Sequence, residues 1–227
     1  MKVTYLGHSF FKIAFNDTSL IIDPFITNTC EDPSFRTLEK SPVKDSDLKG
    51  LAMILITHEH FDHFDKKTVE DIALKYNATV VGHESVVGDL ELPRNLVNPI
   101  SLGKKLQLRN TLIEPVSAHH PNSFYPMGYL LESDGERLYH AGDTDLLDVF
   151  SDIDTDLAIL PIGGTYTMDV IDAVRTTKLM KPKAVMPMHY NTFEMIRADP
   201  QDFKQRIEKS LLKTKPYIPK AGETVKL

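Results

Sequence analysis

Short apolar blocks and alternating apolar–polar stretches recur along the chain, and their lengths are those of strands more often than helices. Residues 2–6 and 10–15 read as two strands. The turn Asn16-Asp17 leads into a third, residues 19–22, which closes at Asp23-Pro24. Residues 51–56 form a wholly apolar run, as expected of a strand covered on both faces, and it delivers His58 just beyond its C-terminal end. Val69, Ile72, Ala73 and Tyr76 fall at helical spacing, predicting a helix over 68–76 that returns through a strand at 79–82. Hairpins are predicted at 106–108 with 111–116, across Arg109-Asn110, and at 128–132 with 137–140, across Ser133-Asp134-Gly135. Residues 157–160 and 184–188 read as buried strands bracketing a helix at 169–179, and a last helix, 200–213, precedes a terminal strand at 224–227. Residues 27–47 are polar, carry two prolines and read as a long surface loop of the kind that borders sites. Strands with helices between them in each half predict two sheets covered by helices.

Length and composition set the frame. The 227 residues, 41% hydrophobic and 26% charged, suit a globular chain able to bury its own core, and the expectation is one domain over 1–227. The single cysteine, Cys30, has no intrachain partner and no nucleophile signature around it. The N-terminus lacks the charged-then-apolar pattern of a signal peptide, and no apolar run approaches the roughly 20 residues that span a bilayer. A cytoplasmic protein without membrane association is expected. The net charge of −6, with no clustering of Lys and Arg, argues against nucleic acid as a partner.

The chemistry is concentrated in Thr57-His58-Glu59-His60-Phe61-Asp62-His63. His58, His60, Asp62 and His63 place four potential ligands within six residues, directly after a buried strand, and imidazole with carboxylate suits zinc, manganese, iron or nickel. Such a loop can turn His58 and His60 toward one ion and Asp62 and His63 toward another. Two metals about 3.5–4 Å apart would share a water and clamp substrate oxygens. Completing two sites takes further ligands, and downstream runs supply them: His119-His120, Asp143 and His189, each after a strand-like segment. Asp143 is placed to bridge, with Gly142 beside it permitting close backbone approach. His83, on a generic strand-to-helix turn, is read as structural.

The motif His58-x-His60-x-Asp62-His63, followed in order by His119, Asp143 and His189, resembles that of the metallo-β-lactamase superfamily. Within it the chain looks most like metal-dependent hydrolases related to ascorbate-6-phosphate lactonase, on Leu6-Gly7-His8-Ser9, Ile22-Asp23-Pro24-Phe25, residues 139–144 and 160–168, Lys181-Pro182-Lys183 and 187–193. The resemblance implies an α+β fold, a four-layer αββα sandwich with metals at one edge of the sheets, and two divalent ions per chain (Zn, Mn or Ni). By resemblance His58, His60 and His119 hold one metal and Asp62, His63 and His189 the other, with Asp143 between them. The pair His119-His120 departs from the single histidine usual in the related group; His119, nearer the strand end, is taken as the ligand. Asp23 is expected to orient a ligand imidazole and His140 to be structural. His8 is expected to contact substrate or to donate a supporting hydrogen bond. Gly164 and Tyr166, in a Gly-Gly loop that resembles an anion-binding nest, are expected substrate contacts.

The activity implied is attack by a metal-bound hydroxide on a small ester, lactone or phosphodiester, with Asp62 or Asp143 as proton acceptor. The alternative is a metal- or ligand-binding sensor of the same fold without turnover. A small-molecule substrate is the expected partner, and a homo-oligomer is compatible with the resemblance.

Overall fold

The computed structural model describes all 227 residues. The first sheet contains β1 (Lys2–Tyr5), β2 (Phe11–Ala14), β3 (Ser19–Ile22), β4 (Met53–Leu55), β5 (Thr79–Gly82) and β6 (Val97–Pro99). The second contains β7 (Leu106–Leu108), β8 (Thr111–Ser117), β9 (Met127–Ser133), β10 (Glu136–His140), β11 (Leu157–Pro161), β12 (Ala184–Met188) and β13 (Lys215–Pro216). The C-terminal β14 (Thr224–Lys226) crosses back to pair with β1, giving seven strands in each sheet, in orders β14-β1-β2-β3-β4-β5-β6 and β13-β12-β11-β10-β9-β8-β7. Each sheet is antiparallel in its first strands and parallel in its later ones.

Side-chain alternation explains the layers. On β3, β4 and β5 the residues Leu20, Ile22, Met53, Leu55 and Val81 belong to the same core as Ile113, Tyr129, Leu131 and Ile159 of the second sheet. Their neighbours Ile21, Ile54 and Val80 face the other way, into a cluster with Val69, Ile72 and Ala73 of helix α1 (Lys66–Tyr76). Strands apolar on both faces are required by such a middle layer. Glu84–Val87 forms a one-turn helix, α2, capped by His83. On the far side, α3 (Val170–Met180) and α4 (Pro200–Glu208) bury Ala173, Val174, Phe203 and Ile207. The result is an αββα sandwich, as the resemblance implies. No helix is long and apolar enough to cross a membrane.

The differences from expectation are local. The last helix ends at Glu208 rather than 213. The strands β6 and β13, Val-Asn-Pro and Lys-Pro, offer no apolar block to read from sequence. The polar segment 27–47 contains two short 3-10 turns, Pro33–Phe35 and Asp45–Leu48.

β1, β3 and β4 run in the same sense in the first sheet, as do β8, β10, β11 and β12 in the second. His8, Asp23, residues 58–63, His119-His120, Asp143, the 163–168 loop and His189 therefore all follow the C-terminal ends of strands.

Candidate metal centre

Three imidazoles meet at the mouth of the site. His58 Nε2 lies 3.1 Å from His60 Nδ1, which lies 3.0 Å from His120 Nε2. The opposite nitrogen of each ring fixes its tautomer. His60 Nε2–H donates to the Asn122 carbonyl at 3.1 Å, and His120 Nδ1–H donates to the Tyr166 carbonyl at 3.1 Å. Thr57 gives its hydroxyl proton to Asp23 Oδ2, so its oxygen accepts from His58 Nδ1–H at 3.0 Å. In the neutral rings three lone pairs thus converge with no proton between them, an arrangement that repels unless a cation sits among them. Nitrogens around one tetrahedral zinc at about 2.0–2.1 Å would stand about 3.3 Å apart, close to what is found.

A second set lies beside the first. His63 Nε2 is 3.3 Å from Asp143 Oδ1, and His189 Nε2 is 3.1 Å from Asp143 Oδ2 and 3.7 Å from Asp62 Oδ2. His63 Nε2 and Asp143 Oδ1 are buried without a hydrogen-bond partner, an expensive condition that metal ligation would relieve. Asp143 Oδ2 is also 3.9 Å from both His58 Nε2 and His120 Nε2, so this carboxylate stands between the two sets. In each of three overlapping groups, His8-Asp62-His63-His189, His58-His60-His120 and His58-His63-Asp143, the ligand atoms lie within 4.8 Å of one another. The residues fit metal ions in number, type and orientation.

A family model described as "Beta-lactamase superfamily domain" matches residues 2–189. The chain is 34% identical over 240 residues to a UPF0173 metal-dependent hydrolase of Pyrobaculum islandicum, covering 100% of both proteins. The chain belongs to the metallo-β-lactamase superfamily. A second metal-dependent hydrolase, from Staphylothermus marinus, is 37% identical over 236 residues, covering 98% of this chain and 97% of that protein. Among solved structures, Igni18, described as a novel metallo hydrolase from Ignicoccus hospitalis, matches with a TM-score of 0.84 at 34% identity, over 99% of this chain and 97% of that one. With these full-length relatives, the protein is a metal-dependent hydrolase of the superfamily.

Within this metallo-β-lactamase site, burial and charge divide the histidines. Burial, then His63, holds the His58 imidazole well below its ordinary value, and burial lowers His120. At His63 and His189 burial also opposes the proton, but carboxylates outweigh it. Asp143, Asp23 and Asp62 raise His63 well above its ordinary value; Asp143 and Asp62 raise His189 to about 9. For Asp62 and Asp143 burial disfavours the charge, yet the surrounding histidines hold both well below the usual carboxylate range.

The fold brings together His58, His60, Asp62, His63, Asp143 and His189. His119 requires correction. Its side chain is 59% exposed and its Nδ1 pairs with Asp145 at 3.0 Å, whereas His120 is buried against His60. His8 makes a supporting hydrogen bond, one of the two alternatives expected of it, and presents no free nitrogen to a substrate. It is buried, donates Nε2–H to Asp62 Oδ2 at 3.0 Å and receives the Thr192 hydroxyl at Nδ1 at 3.0 Å, so both nitrogens are occupied. Burial, then the nearby His189, pushes it down to about 4. Gly164 donates its N–H to the Met168 carbonyl, so that amide is not free to receive an anion. Tyr166 borders the cleft and supplies the carbonyl that orients His120.

Asp23 accepts from Thr57 N, Thr57 Oγ1 and His63 Nδ1 at 2.7–2.8 Å. His140 is structural, donating to the Ser9 carbonyl and accepting from Gly142 N. Gly142 does sit in a close approach: at φ +62°, a Cβ there would lie 2.9 Å from the Met127 carbonyl. His83 stacks on Tyr125, with ring centroids 3.6 Å apart. Cys30 is absent from these ligand groups.

Some contributors carried no signal that composition or spacing reveals. Asn122 and Tyr166 act through backbone carbonyls, which any residue supplies. Glu59 accepts from Ser123 Oγ and Phe124 N, anchoring the loop that carries Asn122. Its place between His58 and His60 is the one hint the sequence offers.

Proposed function

We propose that this hydrolase works with two divalent metal ions on a small ester, lactone or phosphodiester. The converging lone pairs of His58, His60 and His120 carry this reading. His58 Nε2, His60 Nδ1 and His120 Nε2 would hold one ion, and Asp62, His63 Nε2 and His189 Nε2 the other, with Asp143 shared. Zinc, manganese and nickel all suit the set. Bound there, two ions acidify water and polarise the scissile bond. The chain's own residues do the rest. Asp62 borders the cleft and accepts the proton released as water adds, returning it to the leaving oxygen. His8, neutral and fixed by Thr192, holds the Asp62 carboxylate in place. The products of an ester are then an acid and an alcohol, with no oxidant or reductant involved.

Purified protein is expected to contain about two metal ions per chain and to hydrolyse members of an ester, lactone and bis-4-nitrophenyl phosphate panel, with turnover lost in His60→Ala. Metal bound without turnover would favour a sensor, and failure to bind any metal would sink the reading.

The two sets should load differently with pH. Below about pH 9 His189 holds a proton that a metal must displace, whereas His58 and His120 are held below their ordinary values and have none to give up at neutral pH. Affinity at the Asp62-His63-His189 set should therefore climb as pH rises toward 9, about tenfold per pH unit for each proton displaced. Calorimetry of metal binding at pH 7 in buffers of different ionisation enthalpy counts those protons. One binding step should release them and the other should not; two identical steps would contradict the assignment.

A further inference from the structure

The cleft over the ligand set has two unlike walls. One consists of His60, Asp62, His120, Asp143 and His189 with Asn122; the other of Phe35, Phe61, Tyr166, Phe193, Met195 and Ile196. The apolar wall is built. Phe61 meets Phe35 edge to face at 5.2 Å between centroids, Phe35 meets Phe193 at 5.7 Å, and Phe25 backs both Phe61 and Phe193 at 6.2 and 6.0 Å. Phe193 is 1% exposed and held by this packing, while Phe35 and Phe61 are partly exposed and present ring surface to the cleft. No Lys or Arg lines the space. Arg197, in the loop after Ile196, is spent on Glu194 through Nε and Nη2.

The volume, about 240 Å³, exceeds the roughly 150 Å³ that accepts a benzene and falls below the about 300–1,000 Å³ of sites for drug-sized ligands. An anionic group packed on the apolar wall, away from the ligand set, would meet ring and methyl surface there and no Lys or Arg.

Resting on the hydrolase reading above, we propose that the substrate is a small molecule whose scissile group faces the His–Asp wall. An uncharged aryl or alkyl group packs on Phe35, Phe61, Phe193 and Met195, with no anionic group beyond the bond cut. Phosphorylated sugars and nucleotides do not fit this description.

Methyl esters test it, because the leaving group is too small to fill the wall. Methyl acetate, methyl phenylacetate and methyl (4-carboxyphenyl)acetate are compared on the metal-loaded protein by pH-stat. In parallel, saturation-transfer NMR follows binding of phenylacetamide to wild type, Phe61→Ala and Phe61→Leu. The phenylacetate should exceed the acetate in kcat/KM by about 10- to 100-fold, and the carboxylated ester should fall back to the acetate's level or below. Phenylacetamide should bind wild type and Phe61→Leu and lose its signal in Phe61→Ala. Equal turnover of the three esters, preference for the carboxylate, or phenylacetamide binding insensitive to Phe61→Ala would overturn the proposal and leave the hydrolase reading intact. Phe61-dependent binding with no turnover of any ester would instead remove the ester-hydrolase reading and keep the apolar site.

Discussion

His120→Ala is expected to lower kcat/KM by about three orders of magnitude, a loss of about 4 kcal/mol in transition-state stabilisation, whereas His119→Ala stays within about two-fold of wild type. The two residues are adjacent in sequence and opposite in environment. His120 is 4% exposed, anchored through Nδ1 to the Tyr166 carbonyl, with Nε2 aimed at His60. Its removal leaves two of three converging nitrogens, a larger defect than loss of the partner groups behind a ligand, which costs about 10- to 100-fold. The His119 ring makes an exposed pair with Asp145, an interaction worth about 0–1 kcal/mol. Metal content read with the kinetics separates ligand loss from misfolding: His120→Ala should lose metal while keeping a cooperative thermal transition. The reverse pattern, with His119→Ala inactive and His120→Ala active, would refute the assignment.

That pair also shows where sequence reading stops. Thr111, Ile113 and Pro115 are the buried positions of β8, and strict alternation carries the inward parity on to Ser117 and His119. The structure breaks the parity at Ser117. Beyond it the chain is pinned by His119 N to Thr144 Oγ1 and by Asp145 N to the His119 carbonyl. Both bonds reach across to the neighbouring Asp143 loop, and nothing local in sequence encodes them. The 58–63 motif was legible because its ligands are crowded, and Asp143 and His189 because each follows a periodic, apolar strand. The strands β4, β11 and β12 were legible for the same reason. β6 and β13 were not, since Val-Asn-Pro and Lys-Pro form neither an apolar block nor an apolar hairpin partner. The apolar wall is not legible in sequence, because Phe35, Phe61 and Phe193 lie in three segments that only the assembled edge brings together.

The edge also holds backbone in conformations that cost energy. His8, Asp23 and His189 adopt φ of +55°, +47° and +52°, a left-handed region uncommon outside glycine that Asp and His enter more readily than most side chains. Such residues persist where their surroundings over-determine them. Here His189 N donates to the His8 carbonyl, Asp23 N donates to the Leu55 carbonyl, and the His8 ring is tied to Asp62 and Thr192. The turns that strain the chain are therefore the ones that aim the Asp62, His63 and His189 side chains, linking backbone geometry to ligand placement.

Asp23→Ala is expected to cost about 3–5 kcal/mol in stability. Asp23 is fully buried and receives three donors, so its removal strands Thr57 N, Thr57 Oγ1 and His63 Nδ1. Each stranded donor costs about 1–3 kcal/mol, and water entering the gap would recover part of the total. Asp23→Asn separates folding from function. Its carbonyl oxygen can still accept from Thr57 N, but its NH2 then faces the Thr57 hydroxyl and His63 Nδ1–H. To avoid donor against donor, His63 must shift its remaining proton to Nε2, the atom that faces Asp143. The Thr57 hydroxyl must turn as well, weakening its hold on His58 Nδ1. The Asn variant should thus stay folded while metal affinity drops about 10- to 100-fold, read by competition with a chromophoric chelator beside a thermal melt. Wild-type affinity in Asp23→Asn would mean that the ligand imidazoles keep their tautomers without this carboxylate. The chain Asp23–Thr57–His58 would then serve the fold alone.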